Sequence, residues 1–195
     1  MAINRKELKA AAKQQISGNI ATYFGLNIVL GLILSASAVS FIGPIILAGP
    51  LQLGLVLFMM QVVRKGEGEF GTGFKGFNYF GSSFIAGLLM SIFICLWTLL
   101  FYIPGIIAAL RYSMTFYILA DNPELSGYDA IKKSKEMMIG HKWELFVLLL
   151  SFFWWYVLGA ITLGLAYIYV QPYVDATLVN YYEKLKAEQN TAKAE

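Results

Sequence analysis

Six apolar runs, set apart by short polar or glycine-proline interruptions, organise the chain: 20–42, 45–63, 82–103, 105–120, 145–158 and a last one ending near Tyr182. The first carries only small or neutral polar interruptions and is long enough for a helix to cross a hydrocarbon layer of about 30 Å. Gly43-Pro44 turns the chain back, and Gly49-Pro50 marks a kink or a delayed helix start in the second run. The stretch from 82 to 120 is too long for one crossing, so Pro104-Gly105 reads as a tight hairpin between a third and a fourth span. The fourth and fifth runs would be only about 24 and 21 Å long as helices, short enough for re-entrant hairpins to compete with full crossings. The pattern predicts an all-α polytopic bundle of about six transmembrane helices arranged as hairpins. Along the third run Ser83, Gly87, Ser91 and Cys95 recur every fourth residue, which permits close helix contact.

The polar segments have their own periodicity. In residues 1–19, Asn4 caps a helix with Glu7 as its capping-box partner. Ile3, Leu8, Ala11, Ala12 and Ile16 then share a face opposite Arg5, Lys6, Lys9 and Lys13, the pattern of a basic helix on a membrane surface or of a solvated tail. The longest polar interruption, Arg111 to Trp143, contains a second amphipathic helix. Ser126 caps it, Gly140 stops it, and Ala130, Ile131, Ser134, Met137 and Met138 form its apolar face. Segment 64–81 holds two overlapping G-x-G-x-x-G matches, but they follow a span rather than a strand and carry Glu67 and Glu69. They therefore read as a flexible turn rather than a phosphate cradle. Phe70, Phe74, Phe77 and Phe84 recur there at helical spacing, so part of this loop is an aromatic interfacial helix. The division is a surface helix over 1–19, a membrane domain over 20–182 with polar loops 64–81 and 121–142, and a solvated, frayed tail over 183–195.

Composition agrees: 58% of residues are apolar and mean hydropathy is +0.62, against about 45–50% apolar in soluble domains. Ala36-Ser37-Ala38 imitates a signal-peptidase site, yet the apolar run continues past it after a long helical lead, so the N-terminus reads as uncleaved. Of the 15 Lys and Arg residues, all but Arg111 fall in the N-terminal segment, the second loop, the fourth loop or the tail. The positive-inside bias then predicts that both termini face the cytoplasm in a multi-pass topology. Net charge is only +3, with lysines beside apolar runs, which favours anionic lipid over nucleic acid as a partner.

Few residues offer chemistry. The lone Cys95 and lone His141 lack companions, so a metal site is not expected, nor is a cofactor. No nucleophile-base set is present, and Asp121, Glu124, Asp129, Glu136 and Glu144 are spaced as solvated or helix-terminal groups. Arg111 and Asp175 lie within apolar runs, where an unpaired charge costs several kcal/mol, and their depths allow either an ion pair locking two helices or a ligand site. Lys132, Lys133, Lys135 and Lys142 are candidates to grip lipid headgroups or a partner protein; the alternative is a plain anchor helix.

The residues Gly49-Pro50-Leu51 with Gly54, Arg64-Lys65-Gly66-Glu67, Phe74 to Phe77, Arg111-Tyr112-Ser113, Ala120-Asp121-Asn122-Pro123, Ala130 to Ser134, Gly140, Ser151-Phe152 and Pro172-Tyr173 resemble a family of uncharacterised, mainly Gram-positive bacterial membrane proteins known as a domain of unknown function. More distantly, Arg111, Ala130, Ser134, Gly140 and Trp143 are similar to the membrane domain of glycerophosphodiester phosphodiesterases, which lacks their active site. The resemblance implies a six-helix fold in a bacterial inner membrane and no reaction. The function expected is a non-catalytic membrane adaptor or envelope component, with another membrane protein or a second copy as partner. The alternatives are a small carrier or lipid-handling protein and an intramembrane lipid-modifying enzyme using Asp121 or Asp175.

Overall fold

A computed structural model describes residues 4–40 and 42–194. The chain is 83% helical with no strand among the described residues, so the all-α expectation holds. In order the helices are α1 (Arg5–Ile16), α2 (Ile20–Ser37), α3 (Gly43–Lys65), a 3-10 helix (Phe70–Tyr79), α4 (Phe80–Leu100), α5 (Tyr102–Tyr112), α6 (Thr115–Asp121), α7 (Gly127–Met137), α8 (Lys142–Leu150), α9 (Phe153–Ile161) and α10 (Tyr167–Ala194). Among the described residues, five helical stretches are long and apolar enough to cross a membrane: 20–37, 43–65, 70–100, 102–121 and 142–161.

The sixth apolar run is not among them, because Gln171, Asp175, Asn180 and the charged turns after Tyr182 dilute its apolar character, and its hydrophobic residues lie inside the protein. Val170, Val174, Ala176, Val179, Tyr181, Tyr182 and Leu185 are all buried. α3 is its counterpart: 56% of its apolar window is buried, and the 102–121 stretch follows at 50%, against 17% for α2, 11% for 70–100 and 22% for 142–161, so α3, α10 and the α5–α6 stretch form the centre and the others face outward. α10 also runs through the predicted frayed tail. Leu185 is buried, and Glu183, Lys184 and Lys186 pair with residues of α3, α1 and α6, which holds those turns in place.

Three predicted boundaries shift. The α4–α5 turn falls at Phe101, whose backbone is extended, rather than at Pro104-Gly105. Pro104 sits instead in the first turn of α5, where a missing N–H leaves nothing unpaired. The fourth run splits at Ser113-Met114, and the fifth at Ser151-Phe152, where Phe152 turns inward against the Tyr173 ring at 5.2 Å. α3 starts at Gly43 and keeps Pro50 inside it, then ends at Gly66 in the left-handed conformation that glycine tolerates.

The glycine-rich segment is packed, not a flexible turn. Its chain runs back along α3 so closely that a Cβ at Gly54 would lie 1.8 Å from the Gly73 carbonyl oxygen, and one at Gly76 would lie 2.1 Å from that of Pro50. The repeat supplies backbone-to-backbone contact, with Phe74 and Phe77 packed against the core. The small-residue stripe of α4 acts in the same way over half its length. Gly49 of α3 meets the backbone at Ser83, and Gly87 meets Gly49, whereas Ser91 and Cys95 are exposed.

Both amphipathic helices keep their predicted caps. Asn4 accepts from the Lys6 N–H and donates to Glu7, and Ser126 accepts from the Asp129 N–H. Their apolar faces, however, are closed by the protein itself. Leu8, Ala12 and Ile16 of α1 are buried, with Gln15 bonded to Asn180 and Glu7 paired to Lys184 of α10. Lys9 lies 3.9 Å from the Phe152 ring centroid and donates to the Ser151 carbonyl, and burial, then the nearby Arg5 charge, push its ammonium below the usual lysine range. In α7, Ala130, Ile131, Ser134, Met137 and Met138 are all buried.

Candidate functional site

α7 positions the site, and Ser134 positions α7. Where the fourth run breaks, the Met114 N–H and the Arg111 carbonyl lose their helical partners, and a span tolerates such a break only when other groups satisfy them. The fully buried Ser134 hydroxyl does both, accepting from the Met114 N–H at 3.2 Å and donating to the Arg111 carbonyl at 2.8 Å. Gly127 lets the start of α7 touch the α4 backbone at Ser82 and Ala86. Ile131 then closes an apolar cluster with Ala108 and Tyr112 of α5 against Met90 and Phe93 of α4.

This packing leaves a groove of about 510 Å³ between α4, α5 and α7. Arg111, Lys132 and Lys135 line it, with Trp97 and Leu100 on one side and Tyr128 on the other. No carboxylate is in its lining, and no salt bridge to these three cations forms among the described residues. The buried Arg111 Nε has no hydrogen-bond partner. A narrow apolar slot of about 90 Å³, bounded by Pro104, Ile107 and Ala108, shares Trp97, Arg111 and Tyr112 with the groove. Cations above apolar walls with tryptophan and tyrosine at the seam are the chemistry of a headgroup layer. Of the four lysines singled out from sequence, Lys132 and Lys135 enter this groove, while Lys133 and Lys142 are outside its lining.

Arg111 and Asp175 do not form the ion pair that their depths allowed. Asp175 accepts instead from the Tyr23 hydroxyl, joining α10 to α2, while Arg111 points into the groove on α5. The polar constellation that sequence reasoning missed is centred on Asp121. This residue is helix-terminal, closing α6, but not solvated: its side chain is 7% exposed and accepts from Arg64 at 2.7 Å, Lys186 at 2.6 Å and Tyr182 at 2.9 Å. Arg64 also pairs with Glu183 at 2.5 Å. Asn19 donates to the Gly66 carbonyl and accepts from the Gly68 N–H, and His141 contacts Glu144 at 3.1 Å. The N-terminal segment, the loop after α3, the end of α6 and the end of α10 thus gather at one end of the bundle.

A larger groove of about 860 Å³ lies between α3 and α4, lined by Gly49, Gly87, Ser91 and Cys95 with Gln52 as its main polar group. It carries no charge. Asp121 and Asp175 are dispersed, separated by the seven residues of α10 from Asp175 to Tyr182, about 10 Å of helix. No curated protein and no solved structure matches the chain. Residues 99–189, which carry α5 to α9, the α5 and α7 sides of the Arg111 groove and most of α10, match the model of a family described as a protein of unknown function, DUF975.

Proposed function

We propose that this is a non-catalytic, lipid-handling membrane protein that holds the headgroup of an anionic lipid in the groove between α4, α5 and α7. The observation that carries the reading is the convergence of Arg111, Lys132 and Lys135 on one groove whose lining contains no acid. Magnitudes favour an anion. A zwitterionic headgroup with its ammonium about 6 Å from each cation would meet roughly 3 kcal/mol of repulsion apiece at an effective dielectric of about 20. Stacking of that ammonium on Trp97 or Tyr128 would return only about 0.5–2 kcal/mol. An anionic phosphate reverses the sign of the larger effect. The adaptor reading draws on the helical scaffold alone, whereas lipid handling draws on this groove. Replacing Arg111 with leucine is expected to strip co-purifying anionic phospholipid while the yield of folded protein stays the same; an equal loss of folding would return the residue to a structural role.

We further read the end that gathers the Lys- and Arg-rich segments as the cytoplasmic face of a bacterial inner membrane. The support is that three positively charged segments, distant in sequence, share one end: the N-terminal segment, the loop after α3 and the end of α10. Cysteines placed at Lys75 and Thr162 in a Cys95-free background test this with a membrane-impermeant maleimide. Lys75 is expected to react from the cytoplasmic side and Thr162 from the outside; the opposite pattern inverts the orientation.

A further inference from the structure

We infer that the groove selects a lipid phosphomonoester, a headgroup of the phosphatidic acid class, over the phosphodiester lipids that surround it. This rests on the lipid-binding role proposed above and narrows its substrate class. The donor set carries the argument. Arg111, Lys132 and Lys135 supply three positive charges and only donors, and the hydroxyls of Tyr112 and Tyr128 are the sole side-chain acceptors in the lining. A glycerol or inositol headgroup presents hydroxyls that need acceptors, and an ammonium headgroup presents a charge of the wrong sign. A bare phosphomonoester needs neither. It carries about −1.5 to −2 charge at neutral pH and three terminal oxygens, so one arginine fork and two lysine point charges can all engage it.

Geometry agrees with this assignment. The Arg111 Nε is buried and unpartnered, so this donor is left unsatisfied within the protein while Arg111 lines the groove beside Lys132 and Lys135. Its backbone is held by the Ser134 hydroxyl on the same helix that carries Lys132 and Lys135, so the backbone positions of the three cations are fixed relative to one another. The slot beside Pro104, Ile107 and Ala108 opens from the groove under Arg111, where the glycerol backbone and the start of an acyl chain can lie.

The test uses the full chain in phosphatidylcholine nanodiscs doped with either dioleoyl phosphatidic acid or dioleoyl phosphatidylglycerol, with bound lipid counted by native mass spectrometry. Phosphatidic acid is expected to bind at least about tenfold more tightly. That advantage is expected to shrink as pH falls from about 7.5 to about 5, because the monoester loses its second charge around pH 6. The groups facing the groove are Arg111 and Tyr112 from α5 and Tyr128, Lys132 and Lys135 from α7, with no charged group from α4. The phosphatidylglycerol arm controls for them, since that lipid keeps one charge throughout. Equal binding of both lipids, lost together in R111Q, overturns the phosphomonoester assignment and leaves the lipid-binding role standing. No binding of either above phosphatidylcholine overturns both. Displacement of phosphatidic acid by soluble glycerol 3-phosphate at comparable concentration overturns the lipid assignment in favour of a free phosphate ester.

Discussion

Gly54→Ala is expected to cost the protein most of its folded yield. By helix propensity alone the change would stabilise α3 by up to about 1 kcal/mol. The added Cβ would instead sit 1.8 Å from the Gly73 carbonyl oxygen and 2.8 Å from its carbon. These are backbone atoms, fixed between α3 and the start of α4, so neither partner can rotate away as a side chain would. Overpacking a side-chain core costs about 1–3 kcal/mol, and a backbone clash belongs at or above the top of that range. About 3 kcal/mol corresponds to a melting temperature lower by roughly 6–12 °C for a chain of this size. Gly71→Ala supplies the control, because a Cβ there meets nothing within 4 Å. Thermal unfolding in detergent should separate the two variants widely. If both melt like the wild type, the glycine-rich segment is the flexible turn that its composition suggested.

Asp121→Leu ranks second. It removes the acceptor shared by Arg64, Lys186 and Tyr182 and leaves Arg64 with Glu183 alone. Breaking a fully buried ion pair costs about 3–5 kcal/mol. Here the arginine and lysine side chains are 38% and 42% exposed, so water recovers part of the loss, and about 2–3 kcal/mol is the better expectation. Lys186→Met, acting on the exposed side of the same network, should cost under about 1 kcal/mol. Equal losses from the two substitutions would show that Asp121 is not the centre of the network.

Legibility divides along a physical line. Apolar runs, caps and amphipathic faces are local properties, so the two capped surface helices, the buried face of α7 and five membrane-competent stretches were all readable from residue order. Contacts between distant segments were not. Asp121 finds Lys186 across 65 residues, and Gly54 and Gly73 meet only because the chain doubles back. Hydropathy also missed the breaks at Ser113 and Ser151, since serine is neutral on such a scale and its effect depends on which carbonyl the hydroxyl reaches. Arg111 was correctly read as a charge needing a partner. Its groove neighbours are two lysines rather than a carboxylate, which sets aside the ion pair with Asp175 and leaves the ligand reading as the one proposed.

The central claim is that this groove holds an anionic lipid. The most direct measurement is native mass spectrometry of the wild type beside two variants released from mixed-lipid nanodiscs. One removes the groove charges, R111Q with K132Q and K135Q; the other removes the neighbouring lysines outside it, K133Q with K142Q. The account predicts bound anionic phospholipid on the wild type and on the second variant, and its loss from the first at unchanged melting temperature. Equal lipid retention by all three proteins would contradict it.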